Sequence, residues 1–565
     1  MASSSVDRHD EVREVPVLII GGSLVGLATS MFLGTHGVPC LSVEKHRGTA
    51  IHPRAGYFQL RTIELMRAAG IDHKVIKAAH ELYDPNGGLN AVETLAGREI
   101  ANYIPDINQG VEDVSPVRRL FMPQQVLEPL IKDRALELGS RIEYSTELVS
   151  FEQDEAGVTA TVRNIDTLKE SRIRAQFMVA CDGNRSPVRE KLGIRMVGHP
   201  VMSNSITIYF RADCSRALRG RNLGVIYVNN PQVRGFFRLE KTGLGGFLVV
   251  FTVGDIRDPA ARNAAGDMSP EKAAQLVRDA VGEPDLDVKV EDVASWVAVC
   301  RAAERYQSGR VFIAGDAAHH MPPTGGFNGN TGIQDAHNIA WKLACVTRGE
   351  AGRELMDAYD QERQPAGVLA MEQAYQRYVT RSDPDLGTEG MHPQVPDMHV
   401  EFNRYRSLAV IADADETDDG KLDIDPRKSF ARPGTRAPHV ELRRQGQVIS
   451  SLDLYCKGFV LMAGHAGEAW VAVAKAAAAR LGMDLQVHVV GKPGSQGDLL
   501  DLPPHRRTVA TLFTQPFPAA YGISPSGAVL VRPDGYVGWR MKSHSDAAGQ
   551  TLTEALSRLL CRAGQ

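Results

Sequence analysis

The sequence predicts an α/β fold with a Rossmann-like first domain, a β-rich insertion within it and a separate C-terminal domain. Three observations support this prediction. An apolar run, a glycine-rich turn and a helix open the chain in the order of a βαβ unit. Four β-rich runs separated by turns lie between about residues 196 and 300. A stretch rich in Pro, Asp and Gly then precedes a last set of strands and Ala-rich helices.

These composition shifts set the expected domain boundaries. The chain of 565 residues is long enough for two or three domains. The expected division is a discontinuous first domain over residues 1–190 and 296–385, a middle domain over 191–295, a linker over 386–439 and a C-terminal domain over 440–565.

Composition and charge limit the class of protein and its partners. Hydrophobic residues make up 43% and charged residues 23% of the chain, which is typical of a globular protein with a large core. The net charge of −4 gives no reason to expect nucleic acid or a membrane surface as a partner. The first fifteen residues lack the apolar segment of a secretory signal, and no apolar run reaches the ~18 residues of a membrane span. Seven scattered cysteines, without C-x-x-C or metal-ligand spacing, favour the cytoplasm and argue against a metal site.

The first motif is VPVLIIGGSLVG, in which residues 15–20 form the strand that precedes a dinucleotide-type turn. Gly21 makes the tight turn and Gly26 allows close packing of helix and strand, but Ser23 occupies the place of the middle glycine. The helix start favours an anion because its amides are unpaired. Glu44 ends the next strand, where a carboxylate binds ribose hydroxyls. Taken alone, the pattern is equally consistent with a glycine-rich turn of any α/β protein.

Two further motifs follow strands later in the chain. CDGNRSPVR begins at Cys181, directly after an apolar run. GDAAHHMPPTGGFNGNTG begins at Gly315, places the carboxylate of Asp316 at a strand end and continues through a glycine-rich loop into a helix. Free amides of such a loop suit an electron-rich ligand. Each motif alone is also consistent with an ordinary strand-to-helix turn.

In this order and spacing, the three motifs resemble those of the flavin-dependent class A aromatic hydroxylases, which share the p-hydroxybenzoate hydroxylase fold. The pattern from Gly315 to Ala344 is most similar to bacterial aromatic polyketide hydroxylases of the aklavinone hydroxylase type. The resemblance covers about residues 15–380. A second complete nucleotide motif is missing from the sequence, which fits enzymes that bind NAD(P)H only transiently rather than disulfide reductases.

The resemblance implies a tightly, non-covalently bound FAD. The glycine turn would hold the FAD pyrophosphate, Glu44 the adenosine ribose, and Asp316 the ribityl chain, while Asp182 and Gly183 would serve both FAD and NAD(P)H. The implied cofactor-binding residues are Gly21, Gly22, Ser23, Leu24, Val25, Gly26, Glu44, Lys45, Arg54, Arg119, Gln124, Asp182, Gly183, Gly315, Asp316, Pro323, Gly326, Asn330 and Thr331.

The resemblance also implies the reaction. NADPH or NADH would reduce FAD, O2 would add to it, and the flavin C4a-hydroperoxide would hydroxylate a polycyclic aromatic polyketide beneath the β-rich domain. Tyr227 and Arg377 are the predicted catalytic residues because such enzymes bias a phenol toward phenolate. The alternative for these two residues is that the tyrosine is only packed in the core and the arginine lies at the surface. The alternatives to polyketide hydroxylation are Baeyer–Villiger insertion, oxidative rearrangement and simple-phenol hydroxylation. A further alternative is a flavin-binding partner protein without turnover.

Some positions depart from the pattern or lie outside it. Asn328 stands where a glycine is common, which could alter how far the flavin swings. His319 and His320 are expected to be structural or hydrogen-bonding residues and not metal ligands. The C-terminal unit resembles the thioredoxin-like appendage of phenol and polyketide hydroxylases, marked by YGISPSGAVLVRPDGYVGWR. With Cys456 alone it is expected to be redox-inert and to support packing or a homodimer.

Overall fold

A computed structural model describes residues 12–52, 54–255, 257–266, 268–502 and 516–562. The prediction that the first fifteen residues lack a secretory signal falls mostly outside the described residues, because residues 1–11 are not among them. The described helices are Leu24–Thr35 (α1), Leu60–Ala68 (α2), Asp72–Leu82 (α3), Gln124–Glu137 (α4), Pro187–Lys191 (α5), Ser215–Leu218 (α6), Pro270–Val281 (α7), Phe327–Thr347 (α8), Asp357–Arg381 (α9), Asp397–Glu401 (α10), Ala469–Leu481 (α11), Phe517–Ala520 (α12) and Ala548–Leu559 (α13). None of these helices combines the length and apolar character that a membrane crossing requires.

The strands are numbered in chain order. They are Arg13–Ile20 (β1), Cys40–Val43 (β2), Tyr57–Phe58 (β3), Gly88–Val92 (β4), Glu99–Ile104 (β5), Leu120–Phe121 (β6), Arg141–Glu143 (β7), Thr146–Gln153 (β8), Val158–Asn164 (β9), Glu170–Ala180 (β10), Met196–Gly198 (β11), Ser203–Arg211 (β12), Leu223–Asn229 (β13), Val233–Leu239 (β14), Gly245–Val253 (β15), Lys289–Ala298 (β16), Arg301–Ala303 (β17), Gln307–Ser308 (β18), Val311–Ile313 (β19), His319–His320 (β20), Glu441–Arg444 (β21), Gln447–Ser450 (β22), Phe459–Ala463 (β23), Leu485–Gly491 (β24), Leu499–Asp501 (β25), Ala528–Val531 (β26) and Val537–Met541 (β27).

The first domain is built on a sheet with the order β18-β19-β10-β1-β2-β7. Its strands β19, β10, β1, β2 and β7 are parallel, and Ile20 pairs with Ala180 on one side and with Val43 on the other. Because these strands end together, the residues that follow them meet at one edge of the sheet. The predicted Rossmann-like arrangement is thereby confirmed, including its return from β10 to β19 across the insertion.

The middle sheet has the order β16-β12-β15-β14-β13-β4-β5 and is antiparallel except where β13 runs alongside β4. On one face Ile226 and Phe237 pack in the core that also contains residues of α7. On the other face Tyr227 and Phe236 belong to an aromatic cluster that includes Tyr378 of α9. Strands β4 and β5 lie outside the expected insertion at 191–295, so this sheet also draws on the first segment of the chain.

The C-terminal domain contains a mixed sheet, β22-β21-β25-β24-β23-β26-β27, with α11 and α13 packed together against it. This is the predicted thioredoxin-like arrangement. All seven cysteines lie among the described residues and none is in a disulfide. The segment expected to be a linker has little regular structure but is packed, since Glu401 pairs with Arg119 and Arg427 pairs with Asp113.

Candidate functional site

The ends of β1, β10 and β19 bring the three sequence motifs into contact. A Cβ on Gly21 would collide with the carbonyl oxygen of Cys181, and one on Gly26 would collide with that of Gly21. A Cβ on Gly315 would lie only 2.7 Å from Cγ2 of Val25. Gly21 and Gly315 also have positive φ angles of 111° and 62°. Gly21 and Gly315 are therefore required by both space and backbone conformation, and Gly26 by space.

Two helix N-termini meet at this edge. Ser23 is the N-cap of α1 and Gly326 is the N-cap of α8, and neither position provides a side-chain cap. Leu24 in α1 and Gly329 in α8 are neighbours, with Cδ2 of the leucine 3.3 Å from the position of a Cβ on the glycine. The first-turn amides of both helices lack intrahelical acceptors, and both dipoles present a positive end. This geometry suits a phosphate group.

The side chain of Ser23 is held away from the amides of α1. Its hydroxyl donates to Oε1 of Glu128 at 2.6 Å and accepts from Nε2 of Gln124 at 3.2 Å. Glu128 is fully buried and also accepts from Gln124 Nε2 and from the amide of Ala50, each at 2.6 Å. The serine thus replaces the usual glycine without occupying the space in front of the helix.

Glu44 lies at the end of β2 with a buried carboxylate. It accepts from the amide of Gly22 at 2.6 Å and from the amide of His46 at 2.8 Å, one on each oxygen. Each oxygen retains a further acceptor site, so the predicted bonding to ribose hydroxyls is compatible with this geometry. Lys45 and Arg54, also predicted to bind the cofactor, are exposed; Lys45 follows Glu44 directly, whereas Arg54 interacts electrostatically with Tyr209 of the middle sheet.

Two acids follow β10 and β19. Asp182 Oδ2 accepts from the amide of Val188 at 3.2 Å, whereas Oδ1 is buried without a partner among the described residues. Burial raises the pKa of Asp182. Asp316 is exposed and its Oδ1 accepts from Nδ2 of Asn328 at 2.8 Å. The orphaned Oδ1 and the exposed carboxylate fit a ligand that carries hydroxyl donors, as the ribityl chain of FAD does. Asn328 therefore orients Asp316.

A buried network supports this loop. Asp335 accepts from Nε of Arg363 at 2.8 Å and from the amide of Gly315 at 3.1 Å, and lies 2.9 Å from Nε2 of His319. The side chains of Asp335, Arg363 and His319 have no exposed surface. Nδ1 of His319 is 2.8 Å from Oδ1 of Asn328, so the network reaches Asp316. His319 thus has the hydrogen-bonding role expected of it.

We expect the contribution of His319 to stability to decrease as the pH rises. Burial alone would lower the pKa of His319, but Asp335 outweighs burial and the pKa is raised. The stabilisation is therefore fully present below the unfolded pKa of ~6.5 and is lost as pH passes through the folded pKa. The measurement is the Tm difference between wild type and His319→Gln, which should be largest near pH ~6 and shrink toward pH ~9. His46→Gln, at an exposed site, is the control, and a constant His319→Gln difference over this range contradicts the prediction.

The remaining loop residues shape the backbone. Nδ2 of Asn330 donates to the carbonyls of Gly326 and Tyr57, at 2.6 and 2.9 Å, which fastens the start of α8 to β3. Arg363 donates to the carbonyl of Thr331 at 3.1 Å. Pro323 is half-buried in the loop before α8. The predicted roles of Asn330 and Thr331 toward a cofactor thus rest on backbone positions, which are held by the Asn330 side chain and by the bond from Arg363 to the Thr331 carbonyl.

Arg119 is occupied elsewhere in the protein. Its Nε and Nη2 donate to Oε1 of Glu401 at 3.2 and 2.8 Å, and its Nη1 donates to the carbonyl of Ile107 at 2.8 Å. All three nitrogens therefore have partners. This geometry supports a structural ion pair, and a cofactor-binding role for Arg119 would require that pair to open.

The two predicted catalytic residues lie on different elements around the aromatic face. Tyr227 is buried on β13 beneath the guanidinium of Arg381, whose Cζ lies 5.8 Å from the ring centroid. Arg377 on α9 is not a surface arginine. Its Nη2 donates to Asp397 at 2.7 Å and its Cζ lies 5.0 Å from the ring centroid of Phe327. Its Nε is buried and has no hydrogen-bond partner in the described part of the chain.

Two residues of this region were not predicted from the sequence. Glu128 holds Ser23, and Arg238 is a buried arginine on β14 beside Tyr83 and Phe121. The signal for Glu128 is its place in QQVLEPL, one helical turn after Gln124 on the buried face of α4. Arg238 has a clearer signal, since GFFRLEK places it at the same parity as the inward-facing Phe236.

Known proteins match this chain over nearly its whole length. Residues 14–374 match the FAD binding domain family, and residues 431–563 match the C-terminal domain of aromatic-ring hydroxylases. The 4-methyl-5-nitrocatechol 5-monooxygenase of Burkholderia sp. is 47% identical over 97% of this chain and 98% of its own. The tetracenomycin A2 monooxygenase-dioxygenase of Streptomyces glaucescens is 37% identical over 97% of each chain.

Solved structures agree with these matches. Aklavinone-11 hydroxylase, in a ternary complex with FAD and aklavinone, superposes with a TM-score of 0.88 at 34% identity, covering 98% of this chain and 100% of that one. The flavin-dependent monooxygenase PieE, in complex with FAD and substrate, superposes with a TM-score of 0.82 at 30% identity, covering 97% and 99%. The predicted family, fold and FAD cofactor are confirmed. The chain belongs to the FAD-dependent aromatic-ring hydroxylases, monooxygenases that consume O2 and a reduced nicotinamide cofactor.

Proposed function

We propose that the enzyme inserts one oxygen atom from O2 into a phenolic ring held between the middle sheet and the loop before α8. The observation that carries this proposal is the position of α9. Arg377 contacts Phe327 at the start of α8, while the next residue, Tyr378, stacks edge-to-face on Phe251 of the middle sheet at 5.0 Å. Phe251 in turn packs against Phe236, with 6.0 Å between the two ring centroids. An apolar aromatic wall, made of Tyr378, Phe251 and Phe236, therefore begins beside the loop before α8, residues 321–326, which we call the flavin loop.

The first candidate substrate is a polycyclic aromatic polyketide. The support is the likeness to aklavinone-11 hydroxylase and to the tetracenomycin A2 enzyme. The extent of the aromatic wall is also consistent with several fused rings, because flat apolar ligands stack on such surfaces. Tyr227 lies on this wall, 5.9 Å from Phe236 between ring centroids.

A second candidate substrate is a single-ring nitrocatechol. The observation that favours it is the 47% identity to 4-methyl-5-nitrocatechol 5-monooxygenase over 97% of the chain. Both candidates carry phenolic oxygens, and ionisation of a phenol makes either ring more electron-rich. Oxygenation at C5 of the nitrocatechol, the carbon that bears the nitro group, must also break the C–N bond and release nitrite. The two candidates therefore differ in the leaving group as well as in the size of the ring system.

The residues of this chain bind and orient the reactants. FAD, when bound, supplies the activation of O2 at the expense of NAD(P)H. The amides of α1 and α8 hold the anionic part of the cofactor, and the aromatic wall excludes water from the reacting ring. We propose that Tyr227 and Arg377 orient the phenol; the unpartnered Nε of Arg377 and the contact of Tyr227 with Arg381 support this role.

Turnover by the FAD-loaded enzyme tests the proposal. The enzyme is supplied with NADPH or NADH, ¹⁸O₂, and either a hydroxylated anthracyclinone or 4-methyl-5-nitrocatechol. We expect one substrate to stimulate NAD(P)H oxidation and to yield a product containing one ¹⁸O atom. NMR of the product separates ring hydroxylation from Baeyer–Villiger insertion and rearrangement. NAD(P)H oxidation with H2O2 as the sole oxygen product would contradict the proposal.

Ser23→Ala and Ser23→Gly are both expected to weaken FAD binding about tenfold. Each variant removes one of the donors to the buried carboxylate of Glu128, and hydrogen bonds to charged groups contribute about 1.5–3 kcal/mol. Flavin fluorescence titration of the apoprotein measures the change. Glycine is a good N-cap, so wild-type affinity in Ser23→Gly would show that the hydroxyl has no role.

We also propose a cytoplasmic location, which the free state of all seven cysteines supports. A homodimer stays a prediction that sedimentation of the FAD-loaded protein can test. The C-terminal domain packs on the first domain within one chain, as Arg532 pairs with Glu362.

A further inference from the structure

Arg238 on β14 is a buried cation with no carboxylate within ion-pair distance among the residues that the structure describes. Only 3% of the surface of Arg238 is exposed, and its Nε and Nη1 are buried without a hydrogen-bond partner among the described residues. Burial lowers the pKa of Arg238 to about 10, which still leaves the guanidinium charged at neutral pH. A charge removed from water in this way requires compensation.

Five other buried arginines of the described chain have a carboxylate partner at 2.9 Å or less: Arg61 with Glu64, Arg119 with Glu401, Arg363 with Asp335, Arg377 with Asp397 and Arg532 with Glu362. Arg189 is buried without such a carboxylate, but it donates to the carbonyls of Ala317 and Asn184. Arg238 differs from all of these, because the described residues offer it neither a carboxylate within ion-pair distance nor an acceptor for its Nε and Nη1. The protein leaves the counter-charge of Arg238 to be supplied from outside the chain.

The surroundings of Arg238 are aromatic and lie next to the flavin loop. Its Cζ is 4.6 Å from the ring centroid of Phe121 and 5.7 Å from that of Tyr83. Its Nη1 is 2.8 Å from the position of a Cβ on Gly56, so the guanidinium lies directly against the backbone of this glycine. The next residue, Tyr57, lies against Gly326 at the start of α8. Ring faces attract the cation but do not accept hydrogen bonds in the plane of the guanidinium.

We propose that Arg238 binds an ionised phenolic oxygen of the substrate and selects the phenolate. This inference rests on the proposed function and adds a residue to it. The phenol loses its proton to solvent on binding, and Nη1 donates to the resulting oxyanion, which satisfies one of the two orphaned groups and places a negative charge beside the guanidinium. The phenolate is more electron-rich than the phenol and therefore more reactive toward electrophilic oxygen. Arg238 thus acts before oxygen transfer, as a group that touches substrate.

Binding of two coloured acids tests the proposal. The probes are 4-nitrocatechol for a single ring and alizarin for a fused ring system, since ionisation changes the visible spectrum of each. Each probe is titrated into FAD-loaded wild type, Arg238→Met and Arg238→Lys over a range of pH. In wild type we expect at least one probe to bind as the phenolate at a pH below its free pKa.

Arg238→Met should bind that probe at least tenfold more weakly and without the fall in its pKa. Arg238→Lys keeps the charge and should retain part of both effects. Arg234→Met, on the same strand, is the matched control and should behave as wild type. The flavin content of each variant, measured by absorbance, establishes that the fold is intact; loss of flavin in both Arg238 variants counts against a role confined to substrate.

The proposal is overturned if Arg238→Met binds the phenolate as strongly as wild type does. It is also overturned if wild type binds the neutral phenol, or binds neither probe. In each case oxygenation of a substrate would leave the proposed function standing. Phenolate binding that depends on Arg238, without oxygenated product from any aromatic substrate, would instead reject the proposed function and keep the anion site.

Discussion

Replacing Arg532 by methionine is expected to lower the free energy of unfolding by about 3–5 kcal/mol. Arg532 has no exposed surface and lies in the turn that joins β26 to β27. It donates to both oxygens of Glu362 on α9, at 2.6 and 3.0 Å, and to Asp534 at 2.5 and 3.1 Å. Methionine preserves most of the packing volume but leaves two buried carboxylates with fewer donors, which is the costly way to break an ion pair.

The wider network explains why the effect is expected to be global. Lys342 also donates to Glu362, at 2.8 Å, and the indole of Trp341 donates to Asp534 at 3.1 Å. Both residues belong to α8, whose first turn forms part of the proposed cofactor site. The turn between β26 and β27 therefore places the charged side chains of Arg532 and Asp534, from the C-terminal domain, against α8 and α9 of the first domain. Loss of this contact should also increase the rate at which FAD dissociates.

Denaturant unfolding followed by circular dichroism measures the effect on stability. The matched control is Arg195→Met, which removes an Arg–Glu304 pair of similar geometry at a site where the arginine side chain is 80% exposed. Surface pairs contribute about 0–1 kcal/mol, so this variant should stay close to wild type. Equal destabilisation by the two variants would mean that burial of the Arg532 pair has no special weight.

The parts of the site that depend on local sequence were predictable. Gly21 and Gly26 lie within one turn, and their partners follow strands of one parallel sheet, so strand order alone brings Asp182 and Gly315 to the same edge. The family resemblance added the identity of the cofactor. Hydrogen bonding at Ser23 was not predictable, because its partner Glu128 is 105 residues away.

Contacts between distant parts of the chain also explain why β4, β5 and Arg119 differ from the sequence-based predictions. Strands β4 and β5 carry no marker that assigns them to the middle sheet, and β4 finds its partner β13 more than a hundred residues later. Arg119 matches a cofactor position by resemblance, whereas its guanidinium is engaged by Glu401, 282 residues further along the chain. Side-chain partners at such separations depend on the packing of whole domains, which periodicity and motif spacing do not encode.

Replacing Gly26 by alanine is expected to weaken FAD binding by roughly 100-fold, about 2.7 kcal/mol. The added Cβ would overlap the carbonyl oxygen of Gly21 and lie 2.8 Å from its carbonyl carbon. Both atoms belong to the backbone of the turn after β1, so no side-chain rotation relieves the contact. The start of α1 must move away from the strand, and the amides that face the phosphate move with it. Flavin retained after gel filtration and fluorescence titration of the apoprotein measure the loss.

Gly549→Ala is the matched control, because Gly549 lies in α13 and an added Cβ there meets no atom within 4 Å. This variant should keep wild-type FAD affinity and gain slightly in stability, since alanine is the better helix former. The Gly26→Ala protein should retain its circular dichroism spectrum, which separates a displaced helix start from general unfolding. Full flavin retention by folded Gly26→Ala would contradict the assignment of the α1 N-terminus as the pyrophosphate site. Loss of flavin by folded Gly26→Ala would support the assignment. Because Ser23 at the middle position is already held by Glu128, we expect cofactor binding to depend most strongly on the close approach of Gly26 to Gly21.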